Sequence, residues 1–453
     1  MDKQVAELKA QSKSLYFFLV AIIVLIGFQQ FPVIRVGGSF KIYELLALLI
    51  IFRLVFGQIE LIKEAATINY IALFFFFISP IISYLCSLIA IPYPYKFFIY
   101  YPQVESFKFN YYIFPILQLI YMLFNYTTMI AIVNNQKIYE NFNFIIKLSI
   151  IVGTFIALYS LFAMFIGDPI AQLPSFIQNK KKYDFRSVGL SQEPSFYVLY
   201  QGWIFLFCVY SGKLFSNKII WIILLFINFV SLILTQSTAL IGFFSAVFLS
   251  IFLLRNSVSI RVGIVLLLLV FAGIIYYFLI KYNYSTLFVS YFVDKLNNFF
   301  VPNNNTIGSG SFRNYTSRIG IEIFKNHYIT GVGVGNSIYH MFPYEFKMGI
   351  VIFGERLFAG CFPQNLFSLV LSEQGMIGFM FLMGLLAFCF IKFWKYRNES
   401  PYHKMFFIGF LFNVSAMISV APQYSLFIWV FISLGIGFIY FYKKTTDESL
   451  LLQ

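Results

Sequence analysis

The chain has 453 residues, 60% of them hydrophobic, 21% aromatic and 11% charged, with a formal net charge of +14 and a mean hydropathy of +0.81. Soluble domains run at about 45–50% apolar and 25% charged, so a string of water-soluble domains is excluded. The apolar runs are long and unalternated, which suits helices crossing ~30 Å of hydrocarbon and not the ~10-residue alternating strands of an outer-membrane barrel. The expected fold is all-α: a polytopic membrane protein of about twelve transmembrane helices, with one large, partly helical loop outside.

In chain order the predicted spans are residues 15–31, 40–57, 68–91, 112–133, 143–167, 193–210, 219–234, 237–254, 262–280, 375–394, 405–420 and 424–442. The first follows a Lys-bearing head (Lys3, Lys9, Lys13), is long for a secretory signal and has no small-residue cleavage site after it, so it is expected to stay as a helix. No repeat links the two halves, which disfavours a transporter built from duplicated bundles. Three regions result: 1–280, with nine helices and a basic outer loop at 168–192; 281–362, the large outer loop; and 363–453, with three helices and a short tail.

Placing the N-terminus in the cytoplasm leaves 17 of the 32 Lys and Arg residues in the termini and even-numbered connections, among them Arg53, Lys63, Lys137, Lys213, Lys218, Arg397 and Lys404. The short outer connections hold four: Arg35, Lys41, Lys96 and Lys108. This is the positive-inside bias, and it accounts for much of the basic charge without nucleic acid. The other eleven lie in the two long outer loops. Of the four cysteines, Cys86, Cys208 and Cys389 sit in apolar runs and Cys361 in a loop, so no disulfide framework or metal cluster is expected.

Four outer segments carry chemistry-bearing residues. The first is Lys180-Lys181-Lys182 and then Arg186-Ser187 through Glu193-Pro194-Ser195. Its geometry reads as a helix start with Ser191 as N-cap, Pro194 in the first turn and an acidic side chain at the positive helix end. Arg186 is left over, and its planar guanidinium suits two-point binding of phosphate. The second is Ser311 to Arg318, with an amphipathic helix expected from a Ser317 cap onward; Arg313 and Arg318 read either as phosphate ligands or as headgroup anchors. The third, Gly331-Val332-Gly333-Val334-Gly335-Asn336, lacks the strand–turn–helix setting of a nucleotide loop and reads as a tight turn that brings amides near a phosphate. The fourth runs from Pro363-Gln364-Asn365 to Glu373-Gln374-Gly375, a short helix and a glycine break ahead of the tenth span, with Glu373 as a structural hydrogen-bonding group. His327 and His340 are the only outer histidines, with no acidic partners at zinc-ligand spacing, so metal dependence is not expected.

The order of these motifs (R-S-x-G-x-x-x-E-P-S, S-R before an amphipathic helix, G-x-G-x-G-N, then Pro363-Gln364-Asn365 with E-x-G-x-x-G) resembles the O-antigen polymerase and ligase superfamily over about residues 186–378. The resemblance implies an enzyme of the bacterial inner membrane, with both termini cytoplasmic and a periplasmic active site. Such an enzyme transfers a growing glycan from undecaprenyl diphosphate to the next lipid-linked repeat unit, in lipopolysaccharide-type polysaccharide synthesis. Ligases of the superfamily carry a histidine where this chain has Gln364, which argues against a ligase with an imidazole base, and the Glu193-Pro194-Ser195 segment fits the polymerase branch better. Arg186, Arg313 and Arg318 would clamp the diphosphate in place of a metal, and Glu193 would orient or deprotonate the acceptor hydroxyl. Ser195, Gly333, Gly335, Asn336, Gln364 and Asn365 are the expected substrate-binding residues. No cofactor is expected. The expected partners are the lipid-linked oligosaccharide and polysaccharide, membrane lipid, and chain-length regulator and flippase proteins, with no nucleic acid. A ligase of the same superfamily and a lipid-linked oligosaccharide flippase are the alternatives.

Overall fold

The computed structural model describes residues 2–35, 39–57, 59–91, 106–174, 186–191, 193–237, 239–254, 309–347, 362–418, 420 and 426–451. The ninth predicted span, Lys180–Lys182, Cys361 and much of the 281–362 loop lie outside these residues.

The described chain is helical apart from one antiparallel hairpin that the sequence did not announce, β1 (Val33–Arg35) with β2 (Ser39–Lys41). The helices are α1 (Asp2–Leu25), α2 (Ile42–Val55), α3 (Ala66–Leu73), α4 (Ser79–Ala90), α5 (Ser106–Asn134), α6 (Gln136–Glu140), α7 (Phe142–Ile166), α8 (Pro194–Tyr210), α9 (Lys218–Ile233) and α10 (Ala239–Leu254). They continue with α11 (Ser309–Asn326), α12 (Ser337–Lys347), α13 (Leu366–Tyr396), α14 (Pro401–Met417) and α15 (Leu426–Leu451). Eleven of the predicted spans fall on helices, with corrected ends: α1 stops at Leu25 and includes the Lys-bearing head, and α15 carries the tail to Leu451.

Four stretches are long and apolar enough to cross a membrane: Lys63–Ala90, Phe114–Asn134, Phe142–Ile166 and Leu366–Tyr396. Shorter apolar helices are Ser14–Leu25, Lys218–Ile233, Ala239–Leu254 and Leu426–Tyr442. Many large apolar side chains face outward, among them Phe155, Phe165, Phe226 and Ile219, each more than 60% exposed. Isolated exposed apolar residues are ordinary on a soluble protein, but a surface so rich in them fits hydrocarbon.

The interior is aromatic. Trp203 of α8 stacks on Phe431 of α15 with ring centroids 4.9 Å apart and donates its Nε1–H to Asn413 Oδ1 of α14 at 3.1 Å. Asn228 of α9 donates to Thr154 Oγ1 of α7 at 2.7 Å. Such interhelical polar contacts supply the direction that apolar packing alone lacks between helices in lipid.

Helix polarity sorts these contacts to two ends. At one end, Arg53 Nη2 donates to Ser14 Oγ at 2.8 Å, the Ile62 amide to Asn134 Oδ1 at 2.9 Å and the Tyr402 hydroxyl to Asn143 Oδ1 at 2.9 Å. At the other, the Gln30 amide donates to the Leu190 carbonyl at 2.9 Å, tying the end of α1 to the segment before α8. Glu44, the buried carboxylate of α2's first turn, pairs with Lys41 at 2.6 Å at that same end.

α11 and α12 belong to the segment between α10 and α13, and α11 packs along α13. Ile319 and Ile323 of α11 are buried with Ile91, Val332 and Met341 in a satellite core, while Arg318 and Ile321 are exposed. The helix is amphipathic as expected, but it begins at Ser309. Ser317 is not a cap: its hydroxyl donates to the Arg313 carbonyl at 2.7 Å, a mid-helix bond to the preceding turn.

Candidate functional site

Residues 186–191 precede α8 without regular structure, so their polar groups must find partners elsewhere. Three helices provide them. The Ser187 amide donates to the Leu234 carbonyl at 2.9 Å. Its hydroxyl hydrogen-bonds with Ser160 of α7 at 2.7 Å and Ser231 of α9 at 3.0 Å, and Ser231 in turn with the Tyr197 hydroxyl of α8 at 2.7 Å. The Gly189 amide donates to Ser160 Oγ at 2.7 Å. Arg186 then reaches the C-terminal end of α9, its Nε donating to the Thr235 carbonyl at 3.1 Å and its Nη2 to the Gln236 carbonyl at 3.2 Å. Carbonyls past a helix end lack intrahelical donors and sit at the negative end of the dipole, so a guanidinium fork fits there.

The predicted cap is corrected here. α8 starts at Pro194, Glu193 occupies the N-cap position, and Ser191 lies three residues ahead of the helix. Proline at the first helical position has no amide to leave unpaired and moves the boundary to Glu193. The Glu193 carboxylate makes no bond to the first helical amides. It accepts from Ser195 Oγ at 3.4 Å.

Arg313 comes to this place from a segment more than a hundred residues away. Its Nη2 donates to Ser195 Oγ at 3.3 Å and lies 4.0 Å from Glu193 Oε2, with the Arg313 side chain 16% exposed and that of Glu193 39%. Burial lowers the Arg313 pKa from arginine's ordinary value, Glu193 opposes the shift, and the nearby charge of Arg186 adds to it. Arg313 stays a cation in any case. Three predicted site residues, Glu193, Ser195 and Arg313, are thus in contact, a guanidinium and a carboxylate with a hydroxyl that bonds to both, while Arg186 bonds to the end of α9 and acts on Arg313 through its charge. Arg318 is not among them; five residues along α11 places it about 140° round the helix from Arg313, where it is exposed.

The glycine turn does something else. α13 is broken at Gly375 (φ 63°, ψ −157°), which strands backbone groups inside the fold. The turn collects them: the Val332 amide donates to the Ser372 carbonyl at 2.8 Å and the Gly333 amide to the Glu373 carbonyl at 3.0 Å, while the Met376 amide donates to the Tyr328 carbonyl at 2.8 Å. Gly331, Gly333 and Gly335 all have positive φ. Two of the amides expected to face phosphate therefore face the helix break. Asn336 is fully buried, donating to Val332 O at 3.2 Å and Ser87 Oγ at 3.5 Å. Glu373 is fully buried and its Oε1 accepts from Ser337 Oγ at 2.7 Å, which is the structural role expected of it.

Sequence reasoning missed the other half of this clamp. Ser79, Ser83 and Ser87 lie on one face of α4 and meet, in order, Gln374 Oε1, the Glu373 carbonyl and Asn336. Their four-residue spacing within an apolar run was the available signal. Thr235 and Gln236 were missed with no signal, because they act through backbone carbonyls.

Asn365 is the N-cap of α13, its Oδ1 accepting from the Phe367 amide at 2.9 Å and the Ser368 amide at 3.3 Å. Gln364 docks on α11, its amide donating to Thr316 Oγ1 at 3.2 Å, one turn from Arg313. His327 and His340 face one another with ring centroids 6.0 Å apart; burial pushes the His340 pKa down to about 3, with a smaller push from His327, so His340 is neutral at physiological pH. Among the described residues no three of His, Cys, Asp and Glu come together. No protein-family model matches the chain, and no curated protein matches it.

Proposed function

We propose that the chain is a polymerase of bacterial surface polysaccharide, embedded in the inner membrane with twelve spans, both termini in the cytoplasm and the Arg186–Glu193–Ser195–Arg313 cluster on the periplasmic side. One observation carries this reading. Arg313 meets Glu193 and Ser195 from a segment more than a hundred residues away, at one end of an apolar bundle, with the charge of Arg186 acting on it, in the two motifs that resemble the O-antigen polymerase superfamily. Ionisable groups at the edge of a membrane bundle are expensive to keep and default to function.

The substrates would be a glycan on undecaprenyl diphosphate and the next lipid-linked repeat unit. The acceptor's sugar hydroxyl attacks the anomeric carbon of the donor glycan, and the bond from that carbon to the diphosphate oxygen breaks with its electron pair going to phosphate. The hydroxyl proton passes to Glu193. Undecaprenyl diphosphate leaves, and the glycan, one unit longer, remains on the acceptor's lipid. Arg186 and Arg313 stabilise the charge that develops on the departing diphosphate, a role that needs no metal. Exposed phenyl groups such as Phe155 and Phe165 offer polyprenyl chains an apolar surface.

Sidedness draws on the two bundle ends. The end that holds Arg53 with Ser14, and Tyr402 with Asn143, has Lys63, Lys137, Lys404 and Arg397 close by in sequence, as a cytoplasmic face would. Reporter fusions after residues 137, 215, 258 and 398 should therefore report cytoplasm, and fusions near 178 and 305 the outside. An inside signal at 305 would move the cluster off the periplasmic face.

The function itself is tested by deleting the gene and resolving surface polysaccharide on a gel. Single-repeat products are expected. Polymer that is made but left unattached would indicate a ligase, and accumulation of inward-facing lipid-linked units would indicate a flippase.

A further inference from the structure

We propose that Glu193 is the resident counter-ion of Arg313, that an incoming diphosphate displaces it, and that the displaced carboxylate is the form that accepts the acceptor's proton. This rests on the reading above and adds an order of events: the donor binds first, and only then does the site acquire its base.

The geometry points this way in three respects. Glu193 Oε2 lies 4.0 Å from Arg313 Nη2, at the outer limit of an ion pair, so the two are matched in charge but not locked by a close two-point contact. The carboxylate is also the outer partner, 39% exposed against 16% for Arg313, and it is not held by the α8 amides at the N-cap it occupies. Glu193 is therefore the more accessible of the two partners. Third, the charge of Arg186 acts on Arg313 in opposition to that of Glu193. A diphosphate brings more than one negative charge and several oxygens, so it satisfies the Arg313 fork better than Glu193 does.

Displacement changes what the carboxylate faces. While it faces Arg313 the carboxylate is turned toward a cation; displaced from it, its oxygens are free to face the acceptor hydroxyl. Ser195 makes the exchange smooth. Its hydroxyl accepts from Arg313 and donates to Glu193, so it can rotate to donate to a phosphate oxygen as the carboxylate leaves. With the donor absent, Glu193 remains beside Arg313 and the acceptor hydroxyl is not activated.

The test uses the full-length protein in lipid nanodiscs, with undecaprenyl diphosphate as the binding probe and chain elongation as the second readout. Glu193→Gln removes the competing charge and keeps the shape. It should tighten probe binding by about fivefold, the upper range for a half-exposed ion pair, while stopping elongation. Glu193→Asp, one methylene shorter, should also tighten binding but retain part of the elongation rate. That keeps the test valid if the glutamine form folds poorly. Unchanged or weakened binding in both variants would overturn the counter-ion role and leave Glu193 as a base or ligand only. Arg313→Gln, measured alongside, separates the two levels. It should abolish probe binding whether residue 193 is Glu or Gln. Probe binding that does not depend on Arg313 would overturn the diphosphate site itself.

Discussion

Replacing Arg313 by alanine should cut polymer formation by about 10²–10³-fold, the usual loss when a preorganised donor at developing charge is removed, while protein level stays normal. Arg313 is the more informative of the two arginines because it contacts Ser195 and Glu193, both expected site residues. Losing it leaves a 39% exposed carboxylate that water can solvate, so folding should survive. Lysine at 313 should also perform poorly, because an ammonium keeps the charge and loses the planar two-point contact. A headgroup anchor would tolerate lysine, since either side chain can snorkel. Arg186 does not allow so clean a comparison. Its Nε and Nη2 span two backbone carbonyls at the end of α9, and lysine cannot reproduce that fork whether or not phosphate binds. A failed Arg186→Lys therefore separates nothing, whereas a failed Arg313→Lys at matched expression separates ligand from anchor.

The second large effect is structural. Gly331→Ala and Gly375→Ala should each destabilise the fold by more than about 4 kcal/mol, the range reserved for clashes and strained backbone. At Gly331 (φ +66°) a Cβ would lie 2.3 Å from the Glu373 carbonyl carbon, and at Gly375 (φ +63°) it would lie 2.3 Å from the Ile329 oxygen. Both obstacles are backbone, and the two glycines face each other across the same crossing. Gly384, in the unbroken part of α13, has nothing within 4 Å of its Cβ position, and alanine there should be neutral or mildly stabilising. Thermal unfolding of the three variants in detergent checks this. Wild-type midpoints for Gly331→Ala and Gly375→Ala would mean that the turn and the helix break are not clamped together.

Some of this was legible from the chain alone. Apolar length is a local property, so the helical windows could be read directly, as could the glycine break at Gly375 within a helical run. The resemblance implied that Arg186, Arg313 and Arg318 would act together with Glu193; Arg313 does meet Glu193 and Ser195, while Arg318 lies on the exposed side of α11. Cap positions were misjudged where two local rules compete: Pro194 outranks Ser191 as the marker of the α8 start, and Ser317 bonds back to the Arg313 carbonyl instead of beginning a helix. What could not be read were pairings set by tertiary packing. Ser83 meets a carbonyl 290 positions away, and Arg186 meets carbonyls 49 and 50 positions on, where no side-chain type signals the contact.

The most direct measurement of one diphosphate-handling site built from segments 186–195 and 309–326 is elongation by purified protein in vesicles supplied with undecaprenyl-diphosphate-linked repeat units and EDTA. Wild-type protein should produce a ladder of chain lengths despite the chelator, and Arg313→Ala should produce none at matched protein amount. No ladder from the wild type, or an undiminished ladder from Arg313→Ala, would contradict it.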